Sequence, residues 1–402
     1  METAKFKTKS EIIEKKLPRV NGNNQYKGKT ILALDGGYSS VKGASSERVF
    51  LFPSYAKKAS SNLEIIGKVS PTDILFRNNV TQEIWLVGQV AEAMMDQNDL
   101  DSTTDTSMYT RFRYDSDIFR IIMSTGLCLG LWGTPEDNEI ILQTGLPSLY
   151  KESDSGKLIR ALAGDYDVAL KIGQGEWKNF KFTLLEKNIY VMEQPQGTLC
   201  SVAYENGEIT SLGKNVMSSD SLILDIGFGT EDIFSIRRGY KNNHQTFSDT
   251  AMRAVFDGVL QKMKEKLREK NSDMDIKIFE LQNYLEKGEI SFFDLDKFEM
   301  VSIGFADILE EVNKELCEKS IMRLMQEYQY LKPYKYLIVT GGTGESRFEQ
   351  IKDKLSAIPS LTVLPGNMNT KDLSFSYSNV IGYYMLRHAL VMRDMKKSSE
   401  EK

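Results

Sequence analysis

Two short stretches interrupt an apolar strand with a carboxylate and a run of glycines. In "ILALDGGYSSVKGA", Asp35 ends an aliphatic run and Gly36, Gly37, Tyr38 and Ser39 follow; in "LILDIGFGTEDIFSI", Asp225 does the same ahead of Gly227, Phe228, Gly229 and Thr230. Glycine turns of this kind aim backbone N–H groups at one spot, a nest suited to phosphate oxygens. A carboxylate beside the nest suits Mg2+, which prefers oxygen donors and keeps several waters. Lys42, seven residues after Asp35, can lie across the hairpin and neutralise a transferring phosphate. Two Asp-Gly hairpins and one lysine make a clamp for a magnesium–nucleoside triphosphate. Asp-Gly is also a favoured turn pair with no chemistry attached, and the first stretch alone does not separate the two readings. The second copy and a third glycine turn weigh toward phosphate.

That third turn is "LIVTGGTGESRF", where Gly341, Gly342 and Gly344 stand between an apolar strand and a helix. The position suits close backbone approach to a ligand at a helix N-terminus, although the spacing is not the dinucleotide fingerprint. A look-alike is set aside. "GNNQYKGKT" has five residues between Gly22 and Gly28 where a P-loop needs four, and it precedes a strand instead of following one.

The elements that must position these turns alternate between strand and helix, which predicts an α/β architecture. Residues 1–28 are polar and net positive, a flexible arm or surface-docked extension. "TILALDGG", "VKGASS" and "RVFLF" read as a strand meander, "EIWLVGQVAE" as strand into helix, and "DQNDLDSTTDTSMYTRFRYDSD" as an acidic polar loop. "DIFRIIMSTGLCLGLWG" has helical periodicity, "EIILQTGLP" and "IYVME" are strand-like, and "QPQG" opens a helix. After the hairpin at 221–240 come amphipathic helices over about 249–270 and from "DIKIFELQNYLEKG". One long helix follows from "SIGFADIL", and a closing helix from "SNVIGYYML" has a frayed tail "KKSSEEK". The echo between the two Asp-Gly hairpins suggests two related lobes facing one cleft.

Composition narrows the function classes. A chain of 402 residues suits two domains. Its net charge of −5 argues against a general nucleic-acid binder. Three separated cysteines without a CxxC spacing suggest a reducing compartment, and two histidines make His-based metal or Ser–His chemistry a poor fit. No secretory signal opens the sequence, and "IIMSTGLCLGLWG" is too short to span a bilayer. A soluble, cytoplasmic protein without membrane contact is expected.

In order along the chain, these segments resemble the five nucleotide-binding segments of the actin, Hsp70 and sugar-kinase superfamily. "LALDGGYSSVK" is similar to its first phosphate loop, "LQTGLP" to the first connecting segment and "LILDIGFGTEDI" to the second phosphate loop. "LIVTGGTGE" is similar to its adenosine segment and "YSNVIGYYML" to the second connecting segment. Within the superfamily, "LVGQVAE", "YVMEQPQGTL" and "SNVIGYYML" most resemble the bacterial plasmid-segregation actins of the ParM and Alp group.

The resemblance implies an actin-like fold of duplicated ribonuclease H-like lobes with a nucleotide cleft between two domains. The first lobe would cover 29–193 with a small insertion at about 50–115. The second would cover 194–390 with a helical insertion at about 249–300, ahead of a tail at 391–402. It implies Asp35 as a magnesium–water ligand, Lys42 as a phosphate contact, and first-loop contacts from Gly36, Gly37, Tyr38 and Ser39. Gly227, Phe228, Gly229 and Thr230 would serve the second loop, with Asp225 near the metal and the attacking water. Phe228 departs from the family's usual glycine–threonine pattern. Gly341, Gly342 and Gly344 would face the adenosine. Gln194 would orient the attacking water, with Glu193 as the neighbouring alternative; a glutamine there implies slow, timer-like hydrolysis.

By resemblance, then, the expected activity is a filament-forming ATPase using ATP, or alternatively GTP, with Mg2+. It would assemble head to tail with itself and segregate plasmid DNA through a DNA-bound adaptor of the ParR type, without touching DNA directly. A small-molecule kinase acting on a sugar or carboxylate is the alternative on the same fold, and phosphate release without an added acceptor counts against it.

Overall fold

The computed structural model describes residues 2–21, 28–60, 63–95, 113–269, 274, 276–294 and 297–400. Its two main sheets repeat one topology. The first holds β1 (Glu11–Glu14), β2 (Lys29–Gly36), β3 (Ser40–Ala44), β4 (Arg48–Pro53), β5 (Glu139–Leu146) and β6 (Ile189–Glu193), in the order β1-β4-β3-β2-β5-β6. The second holds β7 (Ser221–Ile226), β8 (Glu231–Arg237), β9 (Tyr240–Phe247), β10 (Tyr336–Thr340) and β11 (Thr362–Pro365), in the order β9-β8-β7-β10-β11. In each, three antiparallel meander strands adjoin two parallel strands reached by crossovers.

The aliphatic runs of β2 and β7 are buried nearly end to end, as strands covered on both faces must be. Alternate residues serve opposite layers. Leu32 and Leu34 pack with Phe119, Ile122, Met123 and Leu127 of helix α1 (Asp117–Leu131), while Ile31 and Ala33 face Val380, Ile381 and Tyr384 near the chain's end. Ser116 caps α1 by accepting from Phe119 N. Helix α2 (Gln194–Ala203) begins directly after β6 with proline in its first turn, where the missing N–H costs nothing. Leu199 and Val202 of α2 meet Ile223 and Ile338 of the second sheet. Besides the helix Lys151–Leu162, the further long helices among the described residues are α3 (Met252–Glu269), α4 (Ala306–Glu327), α5 (Gly342–Leu355) and α6 (Ser378–Glu400). On the other face of the second sheet, Cys317, Ile321 and Leu324 of α4 and Ile351 and Leu355 of α5 pack on Leu222, Leu224, Leu337 and Val339. The three cysteines are buried and free.

Three expectations change, and an open choice at the N-terminus is decided. The small insertion expected at 50–115 is a five-stranded sheet whose strands Ala56–Lys58, Ile74–Asn78 and Ile84–Val87 are completed by Gly164–Ile172 and Lys178–Leu184. The pairing Ile74↔Ile172 is long-range and leaves no local mark. The helical insertion at 249–300 contains α3 and the short helix Ile278–Tyr284, but also a hairpin of Glu289–Asp294 with Glu299–Gly304. Its alternation was hidden inside a segment read as helix. The N-terminal stretch is docked, not free: β1 pairs with β4, and Leu17 and Val20 are buried. Helix α6 continues through the lysines and serines expected to fray. The acidic polar loop falls outside the described residues up to 112, as do residues 22–27 of the rejected P-loop look-alike and residues 401–402 of the tail. Among the described residues no helix is long and apolar enough to cross a membrane.

Candidate functional site

The turn of β2–β3 and the turn of β7–β8 face each other across a cavity of about 470 Å3. Asp35, Gly37, Tyr38, Ser39, Lys42 and Gln194 line it from one side; Asp225, the turn from Gly227 to Thr230, Gly341 and Gly342 line it from the other. The antiparallel register puts Asp35 opposite Lys42, and the ammonium lies 3.3 Å from Asp35 Oδ2. Gln194 Nε2 donates to Asp35 Oδ1 at 2.7 Å, because α2 starts at the end of β6, two strands from β2. Both carboxylates are buried at the carboxyl ends of their strands.

On the opposite wall, Asn379 Nδ2 donates to Asp225 Oδ2 at 2.8 Å while its Oδ1 accepts from Thr198 N at 3.1 Å. One amide at the start of α6 thus ties Asp225 to α2. Asp232 faces Asp225 in the ladder, and its carboxylate accepts from the Thr230 hydroxyl at 2.9 Å and from Thr246. Burial pushes the Asp225 carboxyl up to about 6, with Asn379 opposing and Asp35 adding to the rise. Burial likewise lifts Asp232 to about 7, opposed by the Thr246 hydrogen bond and aided by Asp225. Desolvation and like charge both favour the protonated form, so this wall is poised to gain from a cation.

The turns touch. A Cβ on Gly229 would stand 2.6 Å from Tyr38 Cδ2, so only glycine lets the second turn close against the first. Gly341 has φ +83°, and a Cβ there would come within 2.7 Å of Asp225 Oδ1; the turn needs glycine on both counts. Thr343 Oγ1 donates to Gly227 O at 2.8 Å, joining the third glycine turn to the second. Phe228 leans its ring on Phe256 of α3, 5.9 Å between centroids. That packing accounts for an aromatic where a glycine was expected.

Three expected site residues stand outside the cavity lining. Glu193 ends β6 and its carboxylate pairs with Lys241, so Gln194, and not Glu193, is the member of the pair beside Asp35. Gly36 still belongs to β2 and packs on Met123. Gly344 lies a turn inside α5, buried against Val339 and Ile226. Conversely, Arg113 was not foreseen. Its guanidinium donates to Gly37 O at 3.1 Å and to Gly36 O, and lies 4.6 Å from the Tyr38 ring centroid. Nothing in the polar segment around it marks Arg113 as part of the first turn. Asp232 could have been found by counting across the second hairpin, and Asn379 lies within the quoted "YSNVIGYYML".

The donor set is oxygen-only. Among the described residues no group of three or more His, Cys, Asp or Glu side chains forms a ready-made metal cage. That suits a hard cation which takes one or two carboxylates and completes its shell with water and phosphate oxygens. The buried carboxylates Asp35 and Asp225 fit Mg2+ held in this way.

Residues 33–197 match the family model for the N-terminal domain of actin-like proteins; no curated relative matches the chain. Solved structures match over nearly its full length. A non-polymerisable quadruple mutant of pCBH ParM is 19% identical, covering 90% of this chain and 99% of its own, with a TM-score of 0.67. A ParM from a 15-stranded filament of Clostridium botulinum is 18% identical, covering 89% and 98%, with a TM-score of 0.67. An archaeal actin homolog in complex with ADP is 12% identical, covering 89% and 99%, with a TM-score of 0.57. Residues 33–197 thus resemble the N-terminal domain of actin-like proteins, and over nearly its whole length the chain has the actin-like fold of the ParM structures.

Proposed function

We propose that this protein is a nucleotide-dependent, filament-forming ATPase that segregates plasmid DNA. It assembles head to tail with ATP–Mg2+ and disassembles after slow hydrolysis, with a DNA-bound adaptor of the ParR type joining filament to plasmid. The observation that carries the reading is the meeting of Asp35 and Lys42 from one lobe, Gln194 at the junction of the two, and Asp225 and two glycine turns from the other around one cavity. The likeness to a ParM filament and to an ADP-bound actin homolog supports the same reading.

In this reading the turns 37–39 and 227–230 cradle the phosphates, and Lys42 offsets charge that grows on the transferred group. Gly341 and Gly342 let the nucleoside lie against the start of α5. Asp35 and Asp225 would hold Mg2+, which when bound would supply charge neutralisation at the phosphates. Gln194 is an amide and cannot take a proton at neutral pH, so it orients water and hydrolysis is slow. Because the ligands come from both lobes, nucleotide state biases their relative position, and that is the lever on assembly. The net charge of −5 leaves DNA contact to the adaptor.

The test is light scattering and pelleting of the purified protein with ATP–Mg2+, GTP–Mg2+, ADP or no nucleotide, with phosphate release followed in parallel. Triphosphate-dependent assembly with slow phosphate release is expected, together with a fall of about ten- to a hundredfold in turnover for Gln194→Ala. Nucleotide binding without assembly at any concentration would overturn the filament reading. Turnover that requires an added acceptor would indicate a kinase.

A further inference from the structure

The N-terminal segment crosses the mouth of the cavity and is fastened to both sides of it. On the second-lobe side Thr3 is buried, and its hydroxyl donates to Leu285 O at 2.5 Å. Phe6 packs on the cluster built by α3 and the 289–304 hairpin, and the ammonium groups of Lys7 and Lys9 lie 3.8 and 3.6 Å from Glu286. On the first-lobe side Ser10 N donates to Gln89 Oε1 at 3.3 Å, and β1 pairs with β4 over its full length. Tyr377 donates to Glu11 at 3.0 Å. Between these moorings, residues 4–9 line the cavity itself. The two lips also meet directly: the rings of Tyr55 and Phe279 are 5.8 Å apart, and Phe279 is buried among Leu75, Leu86 and Ala91.

We propose that residues 3–11 are a strap that holds the cleft closed over its nucleotide and sets the rate at which nucleotide leaves, a role that rests on the nucleotide reading above. A segment pinned to both lobes must give up one mooring when they part. The first-lobe mooring is a strand ladder continued by buried Leu17 and Val20; beyond it Pro18 O accepts from Tyr384 of α6, which packs on the first sheet, at 2.6 Å. The second-lobe mooring is one side-chain hydrogen bond, one half-buried ring and two long ion pairs to one carboxylate, of which that of the half-exposed Lys9 is solvent-screened and contributes little. The weaker end yields first. Thr3 and Phe6 leave the second lobe while β1 stays in its sheet, so the strap opens as a gate hinged near Ser10. Escape from a closed cleft then waits on this release, whereas entry into an open one does not, and the strap acts on dissociation more than on association.

The experiment uses the full chain and N-methylanthraniloyl-ATP with Mg2+, below any assembly concentration, chased with excess ATP in a stopped-flow instrument. The wild type should release the probe slowly. Phe6→Ala and Thr3→Ala should each release it about tenfold faster with little change in association rate. Lys9→Ala, at a half-exposed side chain, serves as a surface variant should Phe6→Ala fold poorly, and is expected to accelerate release by less. Probe binding by the wild type with unchanged release in all the variants overturns the strap and leaves the nucleotide reading standing. No probe binding by the wild type overturns the nucleotide reading, and the strap's role with it.

Discussion

The hairpins β2–β3 and β7–β8 have the same place in the same sheet topology, yet they treat their aspartates in opposite ways. Across from Asp35 stands Lys42; across from Asp225 stands Asp232. The first aspartate has an ammonium at 3.3 Å and the Gln194 amide. The second has the Asn379 amide and a neighbouring carboxylate, and its own carboxyl is raised to about 6. The turns are also held differently. Arg113 grips the carbonyls of Gly36 and Gly37, a side-chain tether from a distant segment. The carbonyls of Gly227 and Phe228 instead accept from Met252 N and Arg253 N at the start of α3, where helix N–H groups lack intrahelical partners. A duplicated hairpin thus became one cationic and one acidic wall. The difference teaches that the lobes are not interchangeable: one presents a fixed cation to the cavity, and the other a carboxylate pair that would gain from a bound one.

Substitutions can break this comparison, and the largest effect is expected at Asp225. Asp225→Asn keeps the shape but removes the charge, and phosphate release should fall by on the order of 10²–10³; a loss under about threefold would show that the acidic wall takes no part in hydrolysis. Lys42→Ala leaves Asp35 without its ammonium partner and should cost about 10² in the same assay. If its effect appeared in stability alone, the cationic wall would be a structural ion pair. Asp232→Asn relieves a buried like-charge pair. Equilibrium unfolding at pH 7.5 without nucleotide should show a gain of about 2 kcal/mol, and a loss would mean that the two threonine hydrogen bonds outweigh the repulsion.

The smallest effect comes from a buried carboxylate outside both hairpins. Glu92 is raised to about 7 chiefly by burial, with Lys7 opposing and Glu286 adding to it. As pH rises the unfolded chain ionises first, so the cost of Glu92 grows from about pH 4.5 to 7 and is complete above that. Glu92→Gln should therefore be nearly neutral at pH 4.5 and stabilising by roughly 1–2 kcal/mol at pH 8. Denaturant unfolding at the two pH values checks it, and an equal difference at both would count against a buried, titrating Glu92.

Local pattern revealed the strands β2 and β7, the helices α1 and α6 and the three glycine turns, because each is written in neighbouring residues: aliphatic runs, 3.6-residue spacing, Gly after Asp. It did not reveal the hairpin at 289–304, where strand alternation runs into helical periodicity. Nor did it reveal that Gly164–Ile172 completes the small sheet, since strand pairing at a separation near a hundred residues has no sequence period. Glu193 and Gln194 differ by one position, and the resemblance favours Gln194 with Glu193 as the alternative. A β-strand ending at Glu193 and a helix starting at Gln194 send their side chains to different places, one to Lys241 and the other to Asp35.

The chain's residue order alone specified the α/β class, the echo of two Asp-Gly hairpins and the charge at each turn, because those depend on residue type and short-range spacing. The approach of the two turns until Tyr38 meets Gly229, the insertion of Arg113 under the first loop, the tie from Asn379 to Asp225 and the docking of residues 3–11 across the cleft belong to the folded molecule. Each joins segments far apart along the chain, and such contacts are selected by shape, burial and hydrogen-bond satisfaction over the whole fold, not by any property of the residues beside them.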